Sequence, residues 1–223
     1  MPCLIPVCGE SLSSLKTVLN EVKKELLQKD KVRENAHESM RKALSLSKQA
    51  ILRIHQKRFE EGKKLIENAT AAILRLQGLA EEYPKIIYGG MFSAALQEYA
   101  EANIFLKLIE ESRFVSTKEI NVPAVDYVLG LADAVGEYRR LTLDALREGN
   151  VVKGEECLEI MDEIYVELMG MDEAFVLVPG LRRKCDVARK IIEITRGDIT
   201  QEVRRKALGD YLRRFEQAQA KKR

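Results

Sequence analysis

The stretch RENAHESMRKALSLSKQAILRIHQ, residues 33–56, contains neither proline nor glycine and is rich in Ala, Leu, Lys and Arg. Residues of these types have high intrinsic helix propensity. The stretch lies inside a longer segment, from about Lys31 to Glu82, that has the same character. We therefore predict a long helix there, with a break near Gly62, and we expect Pro84 and Gly89-Gly90 to end it.

The rest of the chain continues in the same way. Its 223 residues include only five prolines, and no run of alternating β-branched residues indicates a strand. The spacing of apolar residues and of turn residues predicts further helices at about 12–26, 91–111, 123–147, 151–169, 181–195 and 198–219. The stretch STKEI at 116–120 is typical of a cap for the helix that Pro123 begins, and Arg196-Gly197-Asp198 is expected to separate the last two helices. Six or seven helices with short connections predict an all-α bundle, a single domain over 1–223 with a loose N-terminus at 1–10.

Composition narrows the classes of function. The 37 Lys and Arg against 35 Asp and Glu leave a net charge of +2, so any role with nucleic acid depends on how the charge is distributed. No segment has the roughly 18 consecutive apolar residues of a membrane span, and MPCLIPVCGE does not resemble a signal peptide. The four cysteines, at 3, 8, 157 and 185, form neither a CxxC pair nor a zinc set with a histidine. We expect free thiols, including Cys3 and Cys8, and a reducing cytoplasm.

Two pairs of acidic residues stand out within apolar helical sequence. Glu98 and Glu101 are three positions apart in LQEYAEA, and Asp133 and Glu137 are four apart in GLADAVGEYRR. Each pair shares one helix face, and two consecutive helices are usually antiparallel neighbours, so the four carboxylates could meet. Such a cluster persists if it is protonated, if Arg or Lys neutralises it, or if a divalent cation binds. Oxygen ligands of this kind suit Mg²⁺ or Mn²⁺.

A plainer interpretation of the acidic pairs is solvation or salt bridging, with Arg139 and Arg140 close in sequence. The two histidines, His37 and His55, are not spaced to join the group.

Basic residues recur along the long helix, and LRRKCDVARK contains a second concentration of them. Binding of a single strand needs a basic groove and stacking groups. Because tryptophan is absent and aromatic residues make up only 6% of the chain, contacts to the strand backbone would have to dominate. The alternative is that both clusters are ordinary solvated helix faces.

Three of these motifs, LQEYAEANIF, VPAVDYVLGLADAVGE and LRRKCDVARKIIEITRG, together resemble the translin and translin-associated factor X (Trax) family. The likeness extends from about Arg33 to Gly197. It implies a seven-helix fold that assembles into a hollow octameric shell and binds single-stranded RNA or DNA. The resemblance implies that Trax-type subunits bind Mg²⁺ or Mn²⁺ through acidic residues and cut single-stranded RNA inside the shell. Translin-type chains have basic or apolar residues at the first two of these acidic positions. The acidic residues here place this sequence on the Trax side.

The resemblance implies a metal-dependent endoribonuclease. In that interpretation Glu98, Glu101 and Asp133 ligate Mg²⁺ or Mn²⁺, and Glu137 is a fourth ligand or orients the attacking water. Basic residues of the long helix would guide the strand: Arg33, Arg41 and Lys48. The connector between the two acidic helices is short, which is typical of a compact prokaryotic, archaeal version that forms a homo-octamer without a separate translin subunit. The alternatives are a non-catalytic single-strand-binding oligomer with a salt-bridged acidic cluster, and a purely structural helical scaffold.

Overall fold

The computed structural model describes residues 10–220, which form helices and connections and contain no strand. The all-α prediction is therefore confirmed. Cys3, Cys8 and the loose N-terminus predicted at the start of the chain lie outside the described residues, apart from Glu10, with which the first helix begins. The helices are α1 Glu10–His55, α2 Phe59–Glu82, α3 Pro84–Ile87, α4 Gly90–Glu111, α5 Thr117–Ile120, α6 Ala124–Arg147, α7 Val151–Met169, α8 Ala174–Leu177 and α9 Leu181–Ala220.

The long helices pack around α4 and α6. Helix α1 lies against α2 and α4, α4 lies against α6, and α6 in turn packs on α7 and α9. One hydrophobic cluster runs through all of these contacts and includes Met40, Ile54, Phe92, Phe105 and Met161. None of the described helices combines the length and the apolar character that crossing a bilayer requires.

Several helix ends fall where the turn residues predict them. Helix α2 ends at Glu82, before Pro84, and α7 follows Asn150, whose side chain accepts a hydrogen bond from the Lys153 backbone. Ser116 forms a capping box with Glu119, as the sequence indicates. That box caps the short helix α5, however, and α6 begins separately at Ala124.

The N-terminal half of the chain differs from the prediction. Residues expected to form two helices belong to the single helix α1, which runs unbroken from Glu10 to His55. The break occurs at residues 56–58, where Lys57 has a left-handed backbone with φ of 60°, and not at Gly62. Gly62 lies inside α2, where an added Cβ would be 3.1 Å from Cγ1 of Ile54. This glycine therefore allows α1 and α2 to pack closely instead of ending a helix.

The predicted break at Arg196-Gly197-Asp198 is also wrong, because α9 continues from Leu181 to Ala220. Both flanking residues form ion pairs with other helices: Arg196 with Asp162 of α7 at 2.7 Å, and Asp198 with Arg139 of α6 at 2.6 Å. A glycine within a helix costs only about 1 kcal/mol relative to alanine. The packing of α9 against α6 and α7 offsets that cost.

Candidate functional site

Helices α4 and α6 bring the four predicted carboxylates into one neighbourhood. Glu98 and Glu101 lie one turn apart on α4, and Asp133 and Glu137 lie one turn apart on α6. The two helices approach closely because α6 has Gly130 at the crossing. A Cβ there would lie 2.6 Å from the carbonyl oxygen of Gln97. A glycine is thus needed at this crossing to hold the two acidic faces together.

Glu101 is the buried member of the cluster, with only 7% of its surface exposed. Burial, and then the negative charges of Asp133, Glu98 and Glu137, raise the pKa of the Glu101 carboxyl to about 9, against a smaller opposing effect of Lys184. Within the described side chains, no hydrogen bond or ion pair reaches this carboxyl. Glu101 is therefore protonated at neutral pH unless a cation comes close to it.

The other three carboxylates each have a basic partner. Glu98 lies 3.3 Å from Nζ of Lys48, and Asp133 accepts a hydrogen bond from Nζ of Lys184. Glu137 accepts a 2.5 Å hydrogen bond from Nε2–H of His55.

Two of the three ways in which such a cluster can persist are thus present. Glu101 is protonated, and each of the other three carboxylates has a basic partner. In the part of the chain that the structure describes, no three His, Cys, Asp or Glu side chains are arranged as a metal-ligand set. The donors themselves are carboxylate oxygens, which is the chemistry that Mg²⁺ and Mn²⁺ prefer. A cleft of about 310 Å³ is lined by Glu98, Glu101 and Glu137, whereas Asp133 lines a different cleft together with Lys184. The residues fit a hard divalent cation in donor type, provided that the basic partners give way.

His55 joins the site, contrary to the expectation from its spacing. It is the last residue of α1, and its side chain is 2% exposed. The imidazole ring packs at 4.8 Å from the ring of Phe105 and holds Glu137 through Nε2. The spacing of residues in the sequence could not predict this contact, because 82 residues separate His55 from Glu137 along the chain.

Lys184 of α9 links the carboxylates to a second polar group. Besides bonding to Asp133, its ammonium lies 3.4 Å from Oε1 of Gln97. Gln97 donates to the Ser93 hydroxyl at 3.0 Å, and that hydroxyl donates to Asp126, whose pKa is raised by burial. A chain of polar contacts thereby fixes Lys184 between α4, α6 and α9.

The predicted strand-guiding residues lie along α1 at different distances from the cleft. Lys48 lines the cleft itself. Arg33, paired with Asp30 at 2.6 Å, lies 15 positions before it, or about 22 Å along the helix. Arg41 lies between them, exposed. Arg140 of α6 also lines the cleft, is exposed and forms no ion pair with any described residue, so it offers a free guanidinium to an anion.

Comparisons with known proteins agree with this fold. The model of the Translin family matches residues 30–194. An uncharacterised protein of Methanocaldococcus jannaschii is 32% identical over 200 residues, which cover 89% of this chain and 88% of that protein.

Solved structures match as well. The crystal structure of AfC3PO has a TM-score of 0.74 at 34% identity, covering 82% of this chain and 96% of that one. The AfC3PO–duplex RNA complex has a TM-score of 0.73 at 33% identity, covering 82% and 95%. Apo-NeC3PO, at 22% identity, shares the fold with a TM-score of 0.75 over 90% of this chain and 100% of that one. With three quarters of its length matched by the family and a relative at 32% identity over most of both chains, this chain belongs to the Translin family.

Proposed function

We propose that the protein binds single-stranded RNA and hydrolyses its phosphodiester bonds with Mg²⁺ or Mn²⁺, as a Trax-type member of its family. One observation carries the proposal: Glu101 is buried beside three other carboxyl groups and has no partner among the described side chains. Burying an acid in this setting is costly, and a divalent cation bound to Glu98, Glu101 and Asp133 would offset the cost. Glu137 is then a fourth ligand or the group that orients the attacking water.

RNA as the ligand is supported by the relatives. AfC3PO, at 33% identity, has been solved with duplex RNA. A preference for single strands comes from the resemblance to Trax-type chains and is part of the proposal, as is binding of single-stranded DNA. Lys48 and Arg140 at the cleft, with Arg41 and Arg33 farther along α1, supply positive charge for the strand backbone.

Each residue of the site has a distinct task in this mechanism. When bound, the divalent ion supplies Lewis-acid charge and lowers the pKa of a water molecule. To act as a ligand, the Glu101 carboxyl would have to release its proton to the solvent. With a cation bound to Glu98 and Asp133, the ammonium groups of Lys48 and Lys184 would no longer be needed as their counter-ions and could pair with phosphate oxygens of the strand. His55 keeps hold of the Glu137 carboxylate and so limits the directions in which that carboxylate can point.

A second function is favoured by a different observation. Glu98, Asp133 and Glu137 each already have a basic partner, and the described side chains contain no ready metal-ligand set. In a non-catalytic strand-binding protein, these pairs would simply hold α1, α4, α6 and α9 together.

Titration with Mn²⁺ and an RNA cleavage assay separate the two functions. We expect saturable Mn²⁺ binding by calorimetry and Mn²⁺-dependent cleavage of an unstructured RNA, and we expect Glu101→Gln, like Glu101→Ala, to abolish both. Glu111→Gln is the matched control, because Glu111 lies on the same helix but is exposed and paired with Lys107 and Arg113. Cleavage by Glu101→Gln at the wild-type rate would disprove the nuclease function, and RNA binding without Mn²⁺ binding would establish the second one.

Assembly and location complete the proposal. We infer a homo-oligomer, an octamer, in which every subunit carries an acidic site. Cys157 and Cys185 are free and buried, which is compatible with the reducing cytoplasm that we propose for the protein.

A further inference from the structure

Helix α7 and the turn that follows it differ in charge from the rest of the chain. Between Val151 and Glu173 there are eight acidic residues and a single basic one, Lys153. This segment has a net charge of −7, whereas the rest of the chain has a net charge of +9, although the two nearly cancel in the whole protein. A surface with so much charge of one sign attracts groups of the opposite sign.

The acidic residues of α7 share an exposed side of the helix with two valines. Positions three or four apart lie on one side of a helix. That spacing joins seven exposed residues, which we call the acidic face: Val152, Glu155, Glu156, Glu159, Glu163, Val166 and Glu167. Both valines are 61% exposed. Among the described residues only Glu156 of these glutamates has an ion-pair partner, Lys153, so the other four carboxylates repel one another without a counter-ion.

The end of α9 has the opposite charge on its apolar side. From Thr200 to Ala220 no described side chain is buried, and we call this part of the helix, about 30 Å long, the α9 tail. One side of the tail is apolar and exposed: Val203, Leu208, Tyr211, Leu212 and Phe215. Arg204 lies one turn before Leu208, and Arg214 lies one turn after Tyr211, so both arginines lie on that side. Neither forms an ion pair with a described residue.

An amphipathic helix of this kind needs a partner for its apolar side, because packing supplies most of the stability of a helix in a protein. Helices α6 and α7 of the same chain pack against α9, but the residues that this packing buries end at Ile199. A partner for the tail must combine apolar and acidic groups, since Arg204 and Arg214 would otherwise be desolvated without counter-ions. The acidic face has this composition. Because both surfaces are exposed in the same chain, they do not contact each other within it.

We propose that the α9 tail of one copy docks on the acidic face of a second copy. The valines of α7 pack against the apolar side of the tail, and glutamates of α7 pair with Arg204 and Arg214. These arginines are ten residues apart, about 15 Å along the helix, and the acidic face is about 22 Å long, so one face can accept both. Complementary charges at such a contact select the partner and its register. The inference rests on the proposed homo-oligomer and goes beyond it by naming the two surfaces that meet.

An exchange of charge between the two surfaces tests the contact. The measurement is the mass of the full-length protein by multi-angle light scattering. Glu159→Arg with Glu163→Arg should lower the mass of the assembly about twofold or more, because like charges then face each other in every copy. Arg204→Glu with Arg214→Glu should have the same effect. The variant with all four exchanges has opposite charges again and should regain the wild-type mass.

Lys206→Glu with Arg213→Glu is the matched control. These two residues lie seven positions apart on the other side of the tail, where Arg213 pairs with Asp210. The exchange changes the net charge by the same amount as the Arg204 and Arg214 exchange, and it should leave the mass unchanged. Circular dichroism verifies that each variant keeps its helical content. Dissociation of the control variant as well would assign the effect to net charge and overturn the contact.

Failure of this contact is distinguishable from failure of the homo-oligomer. A monomeric wild type would contradict the homo-oligomer and the contact together. An oligomeric wild type whose mass survives both charge reversals, or a fourfold variant that stays as small as the double variants, would overturn the contact alone. Fluorescence anisotropy with an unstructured RNA in EDTA tests whether the tail serves the strand instead. Weaker RNA binding by Arg204→Glu with Arg214→Glu at unchanged mass would assign the tail to RNA and overturn the proposal.

Discussion

Protonation of Glu101 makes the stability of the apo protein depend on pH. The folded carboxyl has a pKa of about 9, against an ordinary value of 4.5. Between these values the folded chain holds a proton that the unfolded chain has released. The stability that this carboxyl contributes is therefore fully present below about pH 4.5 and is lost as the pH rises toward about 9. The ionisation state of Glu101 therefore affects the free energy of unfolding of the whole bundle.

Glu101→Gln should remove that dependence. In EDTA at pH 8, we expect the variant to be more stable than the wild type by at least about 1 kcal/mol, or about 2–4 °C in Tm. At pH 5 the two proteins should differ little, because the wild-type carboxyl is then protonated and uncharged like the amide. Thermal unfolding monitored by circular dichroism across this range measures the difference. A gap between the two proteins that does not change with pH would contradict the assignment of a raised pKa to Glu101.

Sequence spacing was enough to find the carboxylates but not their partners. Glu98 and Glu101, like Asp133 and Glu137, are one helical turn apart, and such local pairs can be identified without a structure. His55 and Lys184 contact the cluster across 82 and 51 residues of chain. Contacts of that separation depend on how helices cross, which the apolar pattern of each helix leaves undetermined.

The crossing of α4 and α6 at Gly130 holds the acidic faces together. A Cβ at this position would lie 2.6 Å from the Gln97 carbonyl and 2.9 Å from Cβ of Ala100, too close for either helix to stay in place. The backbone nitrogen of Glu101 on α4 would be 3.1 Å from that Cβ, and Asp133 lies three residues after Gly130 on α6. A small displacement of α6 relative to α4 would thus change the site.

Gly130→Ala should separate the two helices. We expect a loss of about 1–3 kcal/mol in the free energy of unfolding, because overpacking forces backbone shifts, and a weaker affinity for Mn²⁺ in calorimetry. Gly136→Ala on the same helix is the control, since nothing lies within 4 Å of an added Cβ there. That exchange should leave Mn²⁺ binding intact and add up to about 1 kcal/mol through helix propensity. Equal behaviour of the two variants would show that the crossing does not set the site.

Helix boundaries were predictable where a proline, a cap or a left-handed glycine has a local effect. Helix α7 has the range that the sequence predicts, and Gly149, with a left-handed φ of 76°, lies in the connection between α6 and α7. Gly62 and Gly197 were misleading because a glycine also serves close packing, or is tolerated when tertiary ion pairs hold the helix on both sides. Which of these applies depends on the facing helix.

Among the described residues, the first turns of α1 and the last turns of α9 both expose apolar side chains. The first turns of α1 carry a stripe that is 44–60% exposed: Leu15, Val18, Leu19, Val22, Leu26 and Leu27. The last turns of α9 carry a second group with 41–65% exposure: Val203, Leu208, Tyr211, Leu212 and Phe215. Surfaces of this kind mark contacts with other chains. A second copy of this chain is the occupant that a homo-oligomer requires.

Glutamates placed in the α1 stripe should therefore dissociate the assembly. Multi-angle light scattering of the wild type should give a mass that is a multiple of 25.4 kDa, eightfold for the octamer. The double variant Leu19→Glu, Leu26→Glu should shift toward the monomer, because burying two carboxylates at an apolar contact is unfavourable. Asn20→Glu with Lys24→Glu adds at least as much negative charge to the same turns at polar positions, and it should keep the wild-type mass if apolar contact drives association. A monomeric wild type at micromolar concentration would contradict the shell, and dissociation of both variants would assign the effect to charge repulsion instead of the stripe.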